Sequence, residues 1–235
     1  MSTHARLSPS GANRWLSCTG SVEAERHAVE LDPFLAEKSN VHADTGTLAH
    51  LMAETALEHG ITSAAESFKT MGAEVDKYLE YVRFHQSPTS HLYIEQRLKL
   101  SDQIWGTADA VIFDEGHLHI IDLKYGRSKV KAENNTQLMI YALAAIKTFK
   151  KAHRVKRVTV HIGQPRINNF DSWSPTLKQL KELKKEVKTK GKIALAGKGE
   201  LVYNSGHCFF CLAKPTCEEF ARGTCGFKDE TNAST

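Results

Sequence analysis

Hydrophobic positions recur at helical spacing in the first third of the chain. This spacing predicts helices over about residues 10–30, 44–59 and 64–86. The serines beside Pro9 are typical N-cap residues for the first helix, and Gly60 is a typical stop for the second. The second helix is predicted to bury one apolar side formed by Leu48, Leu51, Met52, Thr55 and Leu57.

The pattern changes to period-two alternation near residue 92, which is typical of strands. Strands are predicted over residues 92–100, 105–113 and 117–124, and the turn at residues 114–116 predicts a hairpin between the last two. Further along, the sequence predicts a helix over 134–150, a strand over 155–162 and a lysine-rich helix over about 175–196. This order of elements predicts an α/β fold with a mixed sheet.

Composition sets broad limits on the class of protein. The chain has 235 residues, is 41% hydrophobic and 25% charged, and carries a net charge of +4, which suits one globular domain over about residues 1–227. Residues 228–235 are predicted to be a disordered tail. The sequence has no apolar run of membrane-spanning length and no secretory leader, so we expect a cytoplasmic protein without membrane contact.

Polar residues interrupt the predicted core elements at places where a structural role does not require them. Asp122 and Lys124 stand two apart in a buried strand and therefore face the same side, and Gln137 and Tyr141 stand four apart on one helix face. The full set of interrupting residues is His50, Asp109, Asp122, Lys124, Gln137 and Tyr141. Glu54 and Glu95 are close in sequence to this set, but solvated charges explain them more readily.

These residue types suit one kind of chemistry. Two carboxylates and an imidazole can hold Mg²⁺ or Mn²⁺, and a neighbouring lysine can stabilise the charge that develops on a phosphate. Taken singly, the Asp122–Lys124 pair is more typical of a surface ion pair at a strand end, and His50 is more typical of a core or boundary histidine. Together, the residues predict metal-assisted hydrolysis of a phosphodiester.

The same residues fall in four ordered motifs, GTLAH, GTAD, DLK and QLMIY. In this order the chain resembles the RecB-like branch of the PD-(D/E)XK nuclease superfamily over roughly residues 8–220, and it looks most similar to stand-alone phage-encoded members. The resemblance implies a restriction-endonuclease-like core at about residues 40–165, with a mixed sheet flanked by helices. Ala108 stands where the superfamily's literal motif has proline.

The resemblance also implies the role of each residue. His50, Asp109, Asp122 and the Leu123 carbonyl would bind Mg²⁺ or Mn²⁺, and Lys124 would be the catalytic lysine. Gln137 and Tyr141 would support the site, and Arg127, Lys129 and Lys131 would contact DNA phosphates.

The implied activity is that of a DNA exonuclease or single-strand-preferring nuclease in phage-type recombination, replication or repair. An alternative is a non-cleaving nucleic-acid-binding or recombination accessory protein that keeps the fold. The segment GKIALAGKG, from Gly191, fails as a phosphate-binding loop in its spacing and context. A helicase or recombinase partner would therefore be a separate protein.

Four of the five cysteines lie near the end of the chain. The spacing Cys208-x2-Cys211-x5-Cys217 suits Zn²⁺ or an iron–sulfur cluster, with either Cys225 or Cys18 as a fourth ligand. Resemblance to the four-iron four-sulfur motif of AddB-type nucleases implies that Cys18 is the fourth ligand and that Cys225 is spare. Such a cluster would join the two ends of the domain, at about residues 8–20 and 205–227; structural zinc is the alternative.

Overall fold

Five strands form one mixed sheet in the computed structural model, which describes residues 5–37, 41–64, 69–150 and 154–225. The strands stand in sequence order across the sheet: β1 (His91–Lys99), β2 (Trp105–Asp114), β3 (His117–Leu123), β4 (Arg157–Gln164) and β5 (Asn169–Trp173). Neighbouring strands are antiparallel except β3 and β4, which run parallel and are linked through a helix. The predicted α/β fold with a mixed sheet is confirmed.

Helices cover both faces of the sheet. In the described residues they are α1 (Ala12–Ser17), α2 (Ser21–Leu31), α3 (Phe34–Glu37), α4 (Val41–Glu58), α5 (Lys69–Phe84), α6 (Thr136–Phe149), α7 (Leu177–Leu195), α8 (Ser205–Cys208) and α9 (Glu218–Cys225). One core joins α4 and α5 to one face of the sheet. The other core joins α6 to the opposite face, with α1 and α7 packed outside α6. The sheet is therefore the middle layer of three.

None of the helices in the described residues has the length and apolar character needed to span a bilayer.

The buried side of α4 differs from the sequence prediction. Leu51 is 56% exposed, whereas Ala49, Ala53 and Ala56 are almost completely buried. Small residues face inward because α4 packs closely against α5, and larger side chains on that face would not fit between the two helices. Only Met52 and Leu57 of the predicted apolar set pack at the edge of this core.

The N-terminal helix predicted over residues 10–30 is divided into α1 and α2. The chain leaves the helix at Cys18 and resumes it at Ser21 because a distant segment packs into the gap. The Gly20 amide donates to the Glu200 carbonyl at 2.8 Å, and a Cβ added at Gly199 would lie 2.3 Å from the backbone of Thr19. The break is thus a tertiary effect, set by the close approach of two glycine-containing segments.

Two regions were not predicted as regular structure. Strand β5, with the sequence NFDSW, pairs antiparallel with β4 at the sheet edge and is half-buried rather than alternating in exposure. The cysteine-rich segment, predicted to be loop-like, contains α8 and a 3-10 turn at Lys214–Thr216 and leads into α9. The predicted tail, residues 228–235, lies outside the described residues, as does the side chain of Cys225.

Candidate active site

The acid and base of the DLK motif meet at the end of β3. Asp122 is buried, and its Oδ2 lies 2.7 Å from Lys124 Nζ. This contact is an ion pair without the orientation of a hydrogen bond, so within the described residues Oδ2 accepts no conventional hydrogen bond. Burial raises the pKa of the Asp122 carboxyl, although Lys124 attracts its charged form. A further cation close to this buried carboxylate would stabilise its charged form.

Lys124 keeps its charge in this environment. Burial lowers its pKa, but the attraction of Asp122 and Asp109 outweighs this effect, so the pKa lies above its ordinary value. The ammonium also donates to Gln137 Oε1 at 3.2 Å. Since its partners hold it in place and it remains partly exposed, Lys124 can present a positive charge to a molecule outside the protein.

Gln137 joins the acid and the base through both ends of its amide. Its Nε2 donates to Asp122 Oδ1 at 2.9 Å while its Oε1 accepts from Lys124. It lies in the first turn of α6, which Asn135 caps by accepting from the Leu138 amide. Tyr141, one turn later, is buried beside the pair, and burial raises the pKa of its hydroxyl.

Asp109 connects this pair to the opposite helix layer. Its Oδ2 accepts from the Leu123 amide at 2.6 Å, and its Oδ1 lies 3.3 Å from His50 Nδ1 on α4. Burial lowers the pKa of His50, but the hydrogen bond and charge of Asp109 outweigh burial and raise it. Donors from β2, β3 and α4 therefore meet at one place. Metal binding by the Leu123 carbonyl stays a prediction.

Glu95 completes the donor set, although the sequence favoured a solvated charge at this position. It stands across from Asp109 where pairing of β1 with β2 is interrupted, and its φ is +42°. Such a backbone conformation costs about 1–3 kcal/mol and is commonly found at functional sites. Burial, together with the charge of Asp109, raises the pKa of the Glu95 carboxyl to about 7.

The resulting donor set fits Mg²⁺ or Mn²⁺. One donor atom from each of His50, Glu95 and Asp109 lies within 4.8 Å of the other two, and the charges of Asp109 and His50 both act on the buried Asp122 carboxyl. Carboxylates are the ligands that both ions prefer, and the imidazole favours manganese. A cleft of about 540 Å³, lined in part by Gly46, His50, Glu54 and Glu95, opens beside these donors.

A firmly held loop follows the site and carries the predicted DNA contacts. Gln164 fixes the loop, since its Oε1 accepts from the Val130 amide at 2.7 Å and its Nε2 donates to two loop carbonyls. Arg127, Lys129 and Lys131 are exposed on this loop. These three charged side chains follow Lys124 in the chain and are exposed to solvent. DNA contact by them stays a prediction.

The N- and C-terminal segments that carry the cysteines lie against each other. Cys18 Sγ is buried and accepts from the Val202 amide at 3.3 Å, while Glu25 Oε1 accepts from the Leu212 amide at 2.9 Å. Burial raises the pKa of the Cys18 thiol, and Cys208 and Cys217 also raise it through their charge.

The remaining cysteine of the predicted cluster belongs to the same neighbourhood. The pKa of Cys211 is raised to about 11, mainly by burial and then by Glu25, with a smaller effect from Cys18. The structure thus brings together the four cysteines predicted to act as ligands. Among the described residues, however, they do not form a group in which three ligand atoms lie within 4.8 Å of one another.

A family model described as "Protein of unknown function (DUF2800)" matches residues 4–234. The chain belongs to the DUF2800 family. A solved structure described as "Crystal structure of SSO0001" is similar, with 16% sequence identity and a TM-score of 0.47. The match covers 90% of this DUF2800 chain and 84% of that one.

The structure of this DUF2800 member also shows a site that sequence reasoning missed. His85, His119 and His161 form a second group whose ligand atoms lie within 4.8 Å of one another. Two of them interrupt buried strands, as Asp122 does, and that signal was available in the sequence. The third follows the end of α5, so only the folded arrangement links the three.

Proposed function

We propose that the protein is a metal-dependent nuclease that hydrolyses phosphodiester bonds in DNA. One observation carries the proposal: the ion pair of Asp122 and Lys124, bridged by Gln137, stands beside the His50–Glu95–Asp109 donor set at the mouth of a cleft. The ordered resemblance to the RecB-like branch of the PD-(D/E)XK nucleases supports the same conclusion. These residues come from five elements, β1, β2, β3, α4 and α6, so their convergence is not a local accident.

Each side chain has a task that follows from its surroundings. His50, Glu95, Asp109 and Asp122 would hold Mg²⁺ or Mn²⁺. When bound, such an ion activates water and stabilises negative charge on phosphate oxygens. Lys124, protonated because Asp122 outweighs its burial, stabilises the charge that builds up on the scissile phosphate.

Gln137 and Tyr141 act on the other site residues rather than on the substrate. Gln137 fixes the direction of both the carboxylate and the ammonium, since its amide is bonded at both ends. Tyr141 fills the space behind them, where a Cβ added at Gly106 would lie 2.9 Å from its hydroxyl. This contact explains why glycine opens the GTAD motif.

DNA is the substrate that best fits the surroundings of the site. The exposed cations Arg127, Lys129 and Lys131 stand on the loop that directly follows Lys124 and can contact phosphates without reading base sequence. The resemblance favours an exonuclease or a single-strand-preferring enzyme of phage-type recombination, replication or repair.

We also propose a four-iron four-sulfur cluster on Cys18, Cys208, Cys211 and Cys217. The convergence of both chain ends at these thiols supports it. Structural zinc bound by the same cysteines is the alternative.

The proposed activity is tested with the purified protein, linear double-stranded DNA and single-stranded DNA. We expect cleavage with Mn²⁺ or Mg²⁺ and none in EDTA, because the acidic donor set is ineffective without a divalent cation. Release of nucleotides from labelled ends, followed on denaturing gels, distinguishes an exonuclease from an endonuclease. Tight DNA binding without cleavage in any metal would instead favour the accessory-protein alternative and refute the nuclease proposal.

Substitution of Gly106 by alanine tests the contact with Tyr141. The added Cβ would collide with the tyrosine hydroxyl, so we expect Tyr141 to move and cleavage to slow by about 10- to 100-fold, as is common when supporting groups of a metal site are displaced. Gly126→Ala is the matched control, because a Cβ there meets nothing within 4 Å. Equal rates for the two variants would show that the glycine contact does not matter.

A further inference from the structure

Three histidines converge on the sheet face that is opposite to α6. His119 lies on β3 and His161 on β4, and His85 directly follows α5, which covers this face. His119 precedes Asp122 by three strand positions, or about 10 Å of extended chain, and points to the other side of the sheet. The three histidines thus form a separate site, and the proposed nuclease centre does not account for them.

The spacing of the three rings is that of ligands around one ion. His119 Nδ1 lies 3.0 Å from His161 Nε2, and one nitrogen from each histidine lies within 4.8 Å of the other two. Two nitrogens bound to one tetrahedral zinc lie about 3.3 Å apart. The His85 ring centroid is 4.5 Å from that of His161 and 5.1 Å from that of His119. A small movement of the His85 ring would therefore let all three histidines bind the same ion.

Hydrogen bonds show which ring nitrogens face one another. His119 Nδ1 and His161 Nε2 share a hydrogen bond across the 3.0 Å between them, and a bound ion would take the place of its proton. In the described residues, His85 Nε2 is buried and has no hydrogen-bond partner. On the outer side, His161 Nδ1 lies 2.9 Å from the Tyr81 hydroxyl. Metal-binding histidines usually have their second ring nitrogen bonded to an oxygen in this way, which fixes the ring and its tautomer.

The neighbouring His117 is excluded from the set by its own contacts. Its Nε2 lies 2.7 Å from Thr159 Oγ1 and its Nδ1 lies 2.9 Å from Arg157. Both ring nitrogens are therefore engaged outside the group, although the His117 ring lies against His119.

The chemical type of the three side chains indicates which ion they would hold. Three imidazoles without a carboxylate among them suit zinc or a similar transition-metal ion and not magnesium. Burial, followed by the proximity of the other histidines, lowers the pKa of His161 to about 2 and that of His119 to about 3, and burial lowers the pKa of His85.

We propose that His85, His119 and His161 form a binding site for one Zn²⁺ ion. The ion would fasten the end of α5 to β3 and β4 through three protein ligands. The proposal is independent of the proposed nuclease activity, since it uses none of the same residues.

The test is titration of the full chain, with its cysteine site intact, with Co²⁺ as a spectroscopic probe for zinc, in excess Mg²⁺ to occupy the carboxylate site and read as the difference from the spectrum before cobalt is added. We expect visible d–d absorption that saturates and then disappears when Zn²⁺ is added. A near-ultraviolet thiolate band identifies any cobalt that binds the cysteines, so the signal of the histidine site is read without it. Zinc retained after gel filtration gives the stoichiometry.

His85→Gln is the informative variant, because His85 follows the helix end and its replacement leaves the buried strands intact. We expect this variant to lose the d–d signal, and Tyr81→Phe to bind about 10- to 100-fold more weakly through loss of its contact with His161. His117→Gln is the matched control and should bind as the wild type does. Unchanged binding by His85→Gln, with circular dichroism showing folded protein, would overturn the site, as would equal loss in His117→Gln.

Discussion

Replacement of Lys124 by alanine is expected to slow DNA cleavage by about 10²- to 10³-fold. This is the effect of removing one group that stabilises charge developing in a reaction. The Lys124 ammonium is the cation that pairs with Asp122 and is held by Gln137, so its loss removes the positive charge at this point of the site. The measurement is the initial rate of nucleotide release from linear DNA in saturating Mn²⁺.

Two comparisons separate a chemical effect from a structural one. Lys156→Ala removes an exposed charge just before β4, at the opposite end of β3 and β4 from Lys124, and should leave the rate unchanged. Lys124→Ala should still bind DNA, since Arg127, Lys129 and Lys131 remain. The assignment of Lys124 would be wrong if its alanine variant, folded and bound to DNA, released nucleotides at the wild-type rate.

Replacement of Cys18 by serine should remove the proposed iron–sulfur cluster and much of the stability of the fold. The cluster would close a loop of nearly the whole chain. Loop-closure entropy of this size is worth about 4–5 kcal/mol in the free energy of unfolding. For a chain of this length, that corresponds to a fall of about 10–20 °C in Tm.

The experiment compares anaerobically purified wild type, Cys18→Ser and Cys225→Ser. We expect brown wild-type protein that absorbs near 400 nm, as iron–sulfur proteins do, and a colourless, less stable Cys18→Ser variant. The Cys225→Ser variant should keep both colour and Tm. A colourless wild type whose bound zinc is lost in Cys18→Ser and kept in His85→Gln would instead assign the cysteines to a structural zinc site.

Patterns that repeat over one element could be read from the sequence, because local spacing determines them. Strand β3 and helix α6 were predicted to within a few residues, since each has a strong period and clear boundary signals. Asp122 and Lys124 were singled out for the same reason: a charged pair is conspicuous in a strand that is otherwise apolar.

Features set by distant contacts could not be read in this way. The gap between α1 and α2 exists because the segment around Gly199 enters it. Glu95 looked like a solvated charge because its left-handed backbone, and hence its direction, depends on pairing with β2. The same holds for His85, which reaches His119 and His161 only when α5 lies on the sheet.

The site residues come from helices on both faces of the sheet, and this has a consequence for how the proposed activity would arise during folding. His50 arrives with α4 on one face of the sheet, whereas Gln137 arrives with α6 on the other. A newly made chain in which only one layer has docked would hold an incomplete set of donors. Under the proposed function, cleavage would therefore begin only after both helix layers have packed on the sheet.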